Sequence, residues 1–136
     1  MNLVEIARNN FNSWNRHDAD AIVAAYAEGG VYINPDLPEP LTGAAIGDYA
    51  KVIWTIFPDF SLDLISIGDM GGELIALQWV AHGTNTGAFP DGTPATGRKD
   101  TFPGAGFDQY DGTKIRRAQA YFDRLGQQKQ LGFIKD

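Results

Sequence analysis

The carboxylate that closes the last alternating segment of the chain, Asp123, is the first candidate for proton-transfer chemistry. Strict alternation over residues 115–123 places Ile115, Arg117, Gln119, Tyr121 and Asp123 on one strand face and Arg116, Ala118, Ala120 and Phe122 on the other. If the first face meets solvent, Asp123 is a charged strand end. If it lines a concavity walled by Trp14, Trp54 and Phe57, desolvation raises its pKa toward that of a general base. Asn34 shares a face with Tyr32, and its amide can donate to an enolate oxygen; the alternative is a turn-forming Asn before Pro35. His82 is in phase with Gln78, Val80 and Thr84 and opposite Ile75, Leu77, Trp79 and Ala81, which directs it outward, to surface or interface rather than to catalysis. His17 falls at a polar corner and reads as an exposed residue. With no cysteine there is no thiolate nucleophile, disulfide or Cys-ligated metal, and two histidines without H-E-x-x-H spacing point to no metal centre.

These residues need elements to position them. Leu3, Ile6, Ala7, Phe11 and Trp14 recur at helical spacing, predicting an amphipathic helix from residue 3 to about 16. Asp18 caps a second, Ala-rich helix whose stop is Gly29-Gly30. Val31–Asn34 predicts a brief strand ended by Pro35, and Ile46, Tyr49, Ala50, Ile53, Trp54 and Phe57 predict a third helix ended at Pro58. The period then changes to two. Segments 60–69 and 73–84 flank Gly71-Gly72 as a hairpin, 83–98 is a turn-rich loop at the sheet's rim, and Phe102–Tyr110 and Lys114–Asp123 flank Asp111-Gly112 as a second hairpin. Pro103-Gly104 suggests a bulge, and residues 124–131 a last helical turn or two. Helices followed by long antiparallel strands predict an α+β fold with helices segregated on one face of a bent sheet, leaving a cavity.

A chain of 136 residues, 43% hydrophobic, suits one domain over 1–136. The net charge is −6, divided as −9 over residues 1–97 and +3 over 98–136, so the excess of positive charge that phosphate-backbone binding needs is missing and no nucleic-acid partner is expected. No apolar run of signal-peptide or membrane-spanning length occurs, which points to a cytoplasmic protein without a membrane partner.

Three stretches resemble the SnoaL-like polyketide cyclases of the nuclear transport factor 2-like superfamily. They are Trp14-Asn15-Arg16-His17-Asp18 with Ala24-Ala25-Tyr26, then Gly83-Thr84-Asn85-Thr86-Gly87 with Pro94-Ala95-Thr96-Gly97-Arg98, and finally Tyr121-Phe122-Asp123-Arg124-Leu125-Gly126 leading to Gln130-Leu131-Gly132. The resemblance implies a cone-shaped bent antiparallel sheet, cystatin-like, with three N-terminal-half helices on its concave face, a deep pocket and a homodimer or homotetramer. It implies acid/base catalysis with no metal or organic cofactor: Asp123 would abstract an α-proton from a hydrophobic carbonyl substrate and later protonate the new alkoxide of an intramolecular aldol closure. Asn34, Gln119 and Tyr121 would orient that substrate, and Trp14, Trp54 and Phe57 would wall it. Ketosteroid isomerases, a related branch, place their base carboxylate where this chain aligns Asn34, and an amide cannot take a proton. Two alternatives stay open: a non-catalytic small-molecule binding module, and an epoxide hydrolase or dehydratase in which Asp123 activates water with Arg117 nearby.

Overall fold

In the computed structural model, which describes residues 2–135, the apolar stripe from Leu3 to Trp14 lies along helix α1 (Leu3–Asn15), opened by Asn2, whose side chain accepts from the Glu5 amide. Asp18 caps α2 (Ala19–Ala24) in the same way, through the Ala21 amide at 3.0 Å. Strand β1 (Tyr26–Ile33) follows, then the two-residue β2 (Leu41–Thr42) and α3 (Ala44–Ile56). The long strands are β3 (Ser61–Asp69), β4 (Leu74–Thr84), β5 (Lys99–Asp111) and β6 (Lys114–Phe122), and the chain closes with α4 (Arg124–Leu131). The fold is α+β: one curved six-stranded sheet in the order β2-β1-β6-β5-β4-β3 with helices on one side.

The second helix is shorter than its Ala-rich run predicts. It ends at Ala24, and the chain turns directly into β1, where the Ala25 carbonyl accepts from the Ile115 amide at 2.9 Å. Gly29 and Gly30, expected as a helix stop, lie inside the strand: the β1–β6 register shifts between Tyr26 and Val31, and Gly29 takes φ +74°. At Gly30 a Cβ would stand 2.5 Å from the Ile115 carbonyl oxygen, so glycine lets the two strands meet. The β1–β6 pairing is parallel, the one departure from the expected antiparallel sheet.

No bulge forms at Pro103-Gly104, where β4–β5 pairing runs without interruption. Gly104 is small for a different reason: the Trp79 ring occupies the place of its side chain. The irregularity falls instead at Gln109/Tyr110, opposite Ile115–Arg117. Inward-facing Ile75, Leu77, Trp79, Ala81, Phe102, Tyr110, Ile115 and Ala118 form the core with Ala7 and Ala25. Helix α4 is tied to β5 by Gln130, which accepts from the Thr101 amide at 2.6 Å and donates to the Thr101 carbonyl at 2.8 Å.

Candidate active site

Between the helices and the sheet lies a cavity of about 240 Å³, with Phe11, Trp14, Tyr32, Tyr49, Phe57, Trp79 and Phe102 among its walls. Alternation along β5 turns Asp100, Phe102, Gly104, Gly106 and Asp108 toward the helices, so this strand brings two carboxylates to a mainly apolar space.

Asp108 is the more isolated of the two. Among the described residues nothing donates a hydrogen bond to it, and burial alone pushes its pKa up to about 7. Its position follows from register: Tyr32 on β1 and Asp108 on β5 both pair with Ala118 on the intervening β6. The three residues form one row across adjacent strands, so Tyr32 and Asp108 straddle the small Ala118 with backbones about 10 Å apart. Tyr26, Tyr32 and Tyr110 all feel the Asp108 charge.

Beside that row, Asn34 is 5% exposed and fully engaged. Its Oδ1 accepts from the Asp36 amide at 2.8 Å; because a backbone N–H can only donate, this contact fixes the amide's orientation and turns Nδ2 toward the phenols. Nδ2 donates to the Tyr32 hydroxyl at 3.0 Å and to the Tyr49 hydroxyl at 2.8 Å. Each phenol oxygen thus accepts one bond and keeps its own proton available as a donor. Burial raises Tyr32 to about 12 and Tyr49 further, the Asn34 bonds opposing the rise, so both stay protonated at neutral pH. The two readings of Asn34 combine: it makes the turn before Asp36 and also directs two hydroxyls in the cavity.

Asp123 does not join this site. It is exposed at the N-cap of α4, where its Oδ1 accepts from the Gly126 amide at 2.8 Å, and it borders a shallow hollow on the outer sheet face together with Tyr121 and Phe107. The cause is the irregularity at Tyr110–Ile115. Ile115 and Ala118 are both buried with Arg116 and Arg117 both exposed between them, so the alternation predicted from Ile115 reverses before Ala118. Arg117 and Tyr121 accordingly point outward, Tyr121 being 52% exposed, and are not cavity side chains. Gln119 borders the cavity, but its Oε1 accepts from the Arg117 guanidinium at 2.7 Å. Of the expected aromatic walls, Trp14 and Phe57 line the cavity, whereas Trp54 stacks on His17 at 4.7 Å beyond it. His17 is less exposed than predicted: it donates to the Phe60 carbonyl at 2.9 Å and takes φ +53°. His82 turns its ring outward as predicted, with Nε2 2.9 Å from Asp63 Oδ2.

The mouth is bordered by exposed Asp36 and Val52, and Asp36 accepts from Arg124 Nε at 2.7 Å, joining the loop after β1 to the start of α4. Among the described residues no cluster of His, Cys, Asp or Glu is arranged to hold a metal, and no helix is long and apolar enough to cross a membrane.

With this geometry in place, the family model for SnoaL-like polyketide cyclase matches residues 4–131. The chain belongs to that family. Comparison with curated protein sequences gives no match. Among solved structures, a candidate SnoaL-like polyketide cyclase from Jannaschia superposes with a TM-score of 0.83 at 16% identity, covering 98% of this chain and 93% of that one. IdmH of Streptomyces antibioticus, a candidate polyketide cyclase, gives 0.79 at 20% identity, with 97% and 99% covered. An LEH-like epoxide hydrolase from Mycobacterium tuberculosis gives 0.72 at 17% identity, with 95% and 88% covered. At such identities the likeness is one of fold, and fold alone does not fix chemistry.

Proposed function

We propose that the protein is a cofactor-free acid/base enzyme of the cyclase type, with Asp108 rather than Asp123 as the base. The observation that carries this reading is the row Tyr32–Ala118–Asp108: a carboxylate of raised pKa and a phenol with an unspent proton face one another across a residue too small to fill the gap. A hydrophobic carbonyl compound seated over Ala118 presents its α-carbon to Asp108 and its oxygen to Tyr32 and Tyr49. Asp108 takes the α-proton; the phenols hold the enolate oxygen by hydrogen bonds. The enolate carbon then attacks a second carbonyl carbon of the same molecule, closing a ring. The proton carried by Asp108 passes to the new alkoxide, so the carboxylate is regenerated and no redox partner is required. Trp14 and Phe57 contribute apolar wall.

The test is deuterium exchange from D2O into the α-position of an activated β-keto ester, followed by proton NMR. Exchange catalysed by the parent protein and abolished in Asp108→Asn supports the reading. Equal exchange in the two proteins overturns it.

We also propose that two copies pair through the outer sheet face, where Phe107 and Tyr121 are both exposed and pack edge to face at 6.2 Å. Light scattering is expected to give the mass of a dimer or tetramer, and Tyr121→Glu to lower it; a monomer at micromolar concentration contradicts this.

A further inference from the structure

The second carboxylate of the cavity has no part in the chemistry above. Asp100 is 3% exposed and lines the same space eight residues before Asp108 on the same inward face of β5. Its Oδ2 accepts from Gln127 Nε2 of α4 at 2.9 Å, and its own backbone amide also bears on the carboxylate; Gln127 is the one side chain among the described residues that donates to it. Gln127 lines the cavity as well, and its Oε1 and its second amide hydrogen are unclaimed among the same residues. A carboxylate offers about four lone-pair sites, so one neutral side-chain donor leaves Asp100 with acceptor capacity toward the cavity it lines.

The pair offers an acceptor on Asp100 beside a donor on Gln127. A hydroxyl group matches both, donating to the carboxylate and accepting from the amide, whereas a carbonyl would face the carboxylate with like partial charge. Between this pair and the Asp108 end, the inward positions of β5 are Phe102, Gly104 and Gly106, with the Trp79 ring over Gly104. The β5 floor between the two polar ends is therefore apolar and aromatic.

We propose that Asp100 and Gln127 form a second binding subsite that recognises a hydroxyl group at the end of the substrate remote from its enolisable carbon. The substrate class is then a carbonyl compound with an apolar middle and a distal hydroxyl, and Asp100 and Gln127 are specificity-determining residues. The assignment of which end is enolised rests on the function proposed above; the recognition of the hydroxyl does not.

The probes are methyl ketones of roughly eight to twenty-two carbons, with and without a terminal hydroxyl, whose extended lengths reach the limit of about 26 Å that a straight strand would set on the separation. Affinity is read by quenching of tryptophan fluorescence. At the matching chain length the hydroxyl is expected to improve affinity about tenfold, the size of one hydrogen bond to a charged group. Asp100→Leu and, separately, Gln127→Leu should reduce that advantage to less than about threefold while affinity for the plain ketone holds. Asp108→Asn should keep the hydroxyl advantage intact, so loss of exchange chemistry and loss of the subsite are read apart. Should no chain length show a hydroxyl advantage, or should it persist in both leucine variants, the subsite is refuted. The same holds if Asp100→Leu only lowers thermal stability and leaves the hydroxyl-to-alkyl affinity ratio unchanged, since Asp100 would then be an anchor for α4 and nothing more.

Discussion

Asp108 and Asp123 sit on the same antiparallel hairpin and differ in almost everything that decides what a carboxylate can do. Asp108 faces the helices with no donor in reach among the described residues, and its surroundings hold its proton to about pH 7. Asp123 faces solvent and accepts the Gly126 amide at the start of α4. One has an environment suited to moving a proton; the other terminates a helix. The residue type alone could not separate them, because the difference comes from which face of the sheet each occupies.

The largest expected effect is kinetic. Asp108→Asn should reduce α-deuterium exchange by about a thousandfold, within the range that a positioned general base supplies, whereas Asp123→Asn should leave it within about twofold. Swapped results would reverse the roles of the two carboxylates.

A thermodynamic contrast follows from the same burial. The folded Asp108 keeps its proton to about pH 7 while the unfolded chain releases it near pH 4, so the native state binds more protons between these values. Stability should fall as pH rises across that window and level off above it. Asp108→Asn removes the dependence and should stabilise the protein at pH 8 by up to about 4 kcal/mol, measured by urea denaturation at pH 4.5 and pH 8. If the difference between parent and variant is the same at both pH values, the burial argument fails.

Ala118→Leu sharpens the geometric side. A larger side chain in the middle of the row should separate Tyr32 from any ligand held by Asp108, and exchange should drop at least tenfold for a stability change of about 1–3 kcal/mol. Tyr32→Phe removes one enolate donor and should cost about tenfold in kcat with little change in KM. Smallest of all, Asp123→Ala should leave exchange unaltered while destabilising the fold by about 1 kcal/mol through the lost cap of α4, seen as a lowered Tm.

Much of the fold is legible in the sequence because its signals are local. The stripe of α1, the turn pairs Gly71-Gly72 and Asp111-Gly112, and the period-two runs around them locate α1 and both hairpins within about three residues. What escapes is set by contacts between segments distant in the chain. Gly29-Gly30 looks like a helix stop and is a strand irregularity, since Ile115 approaches from far along the sequence. The face of β6 is misassigned for the same kind of reason: the irregularity opposite Tyr110 inserts a residue between Ile115 and Ala118, and alternation counted from Ile115 ends on the wrong side. Asp108 could have been found from β5 instead, where Phe102, Gly104, Gly106 and Tyr110 share its parity and no shift intervenes before Gln109. Asn34 was visible as an amide on the face of Tyr32, but its bond to Tyr49 joins β1 to α3 and appears only once the two elements pack.

The central claim is that the cavity, and not the rim, holds the proton-transferring carboxylate. Carbon-13 NMR titration of the aspartate side-chain carboxyls, assigned with Asp108→Asn, tests it without any substrate. A resonance lost in that variant and titrating with a midpoint near pH 7 is the predicted result. A midpoint near pH 4 for that resonance would show an ordinary, hydrated carboxylate and contradict the account.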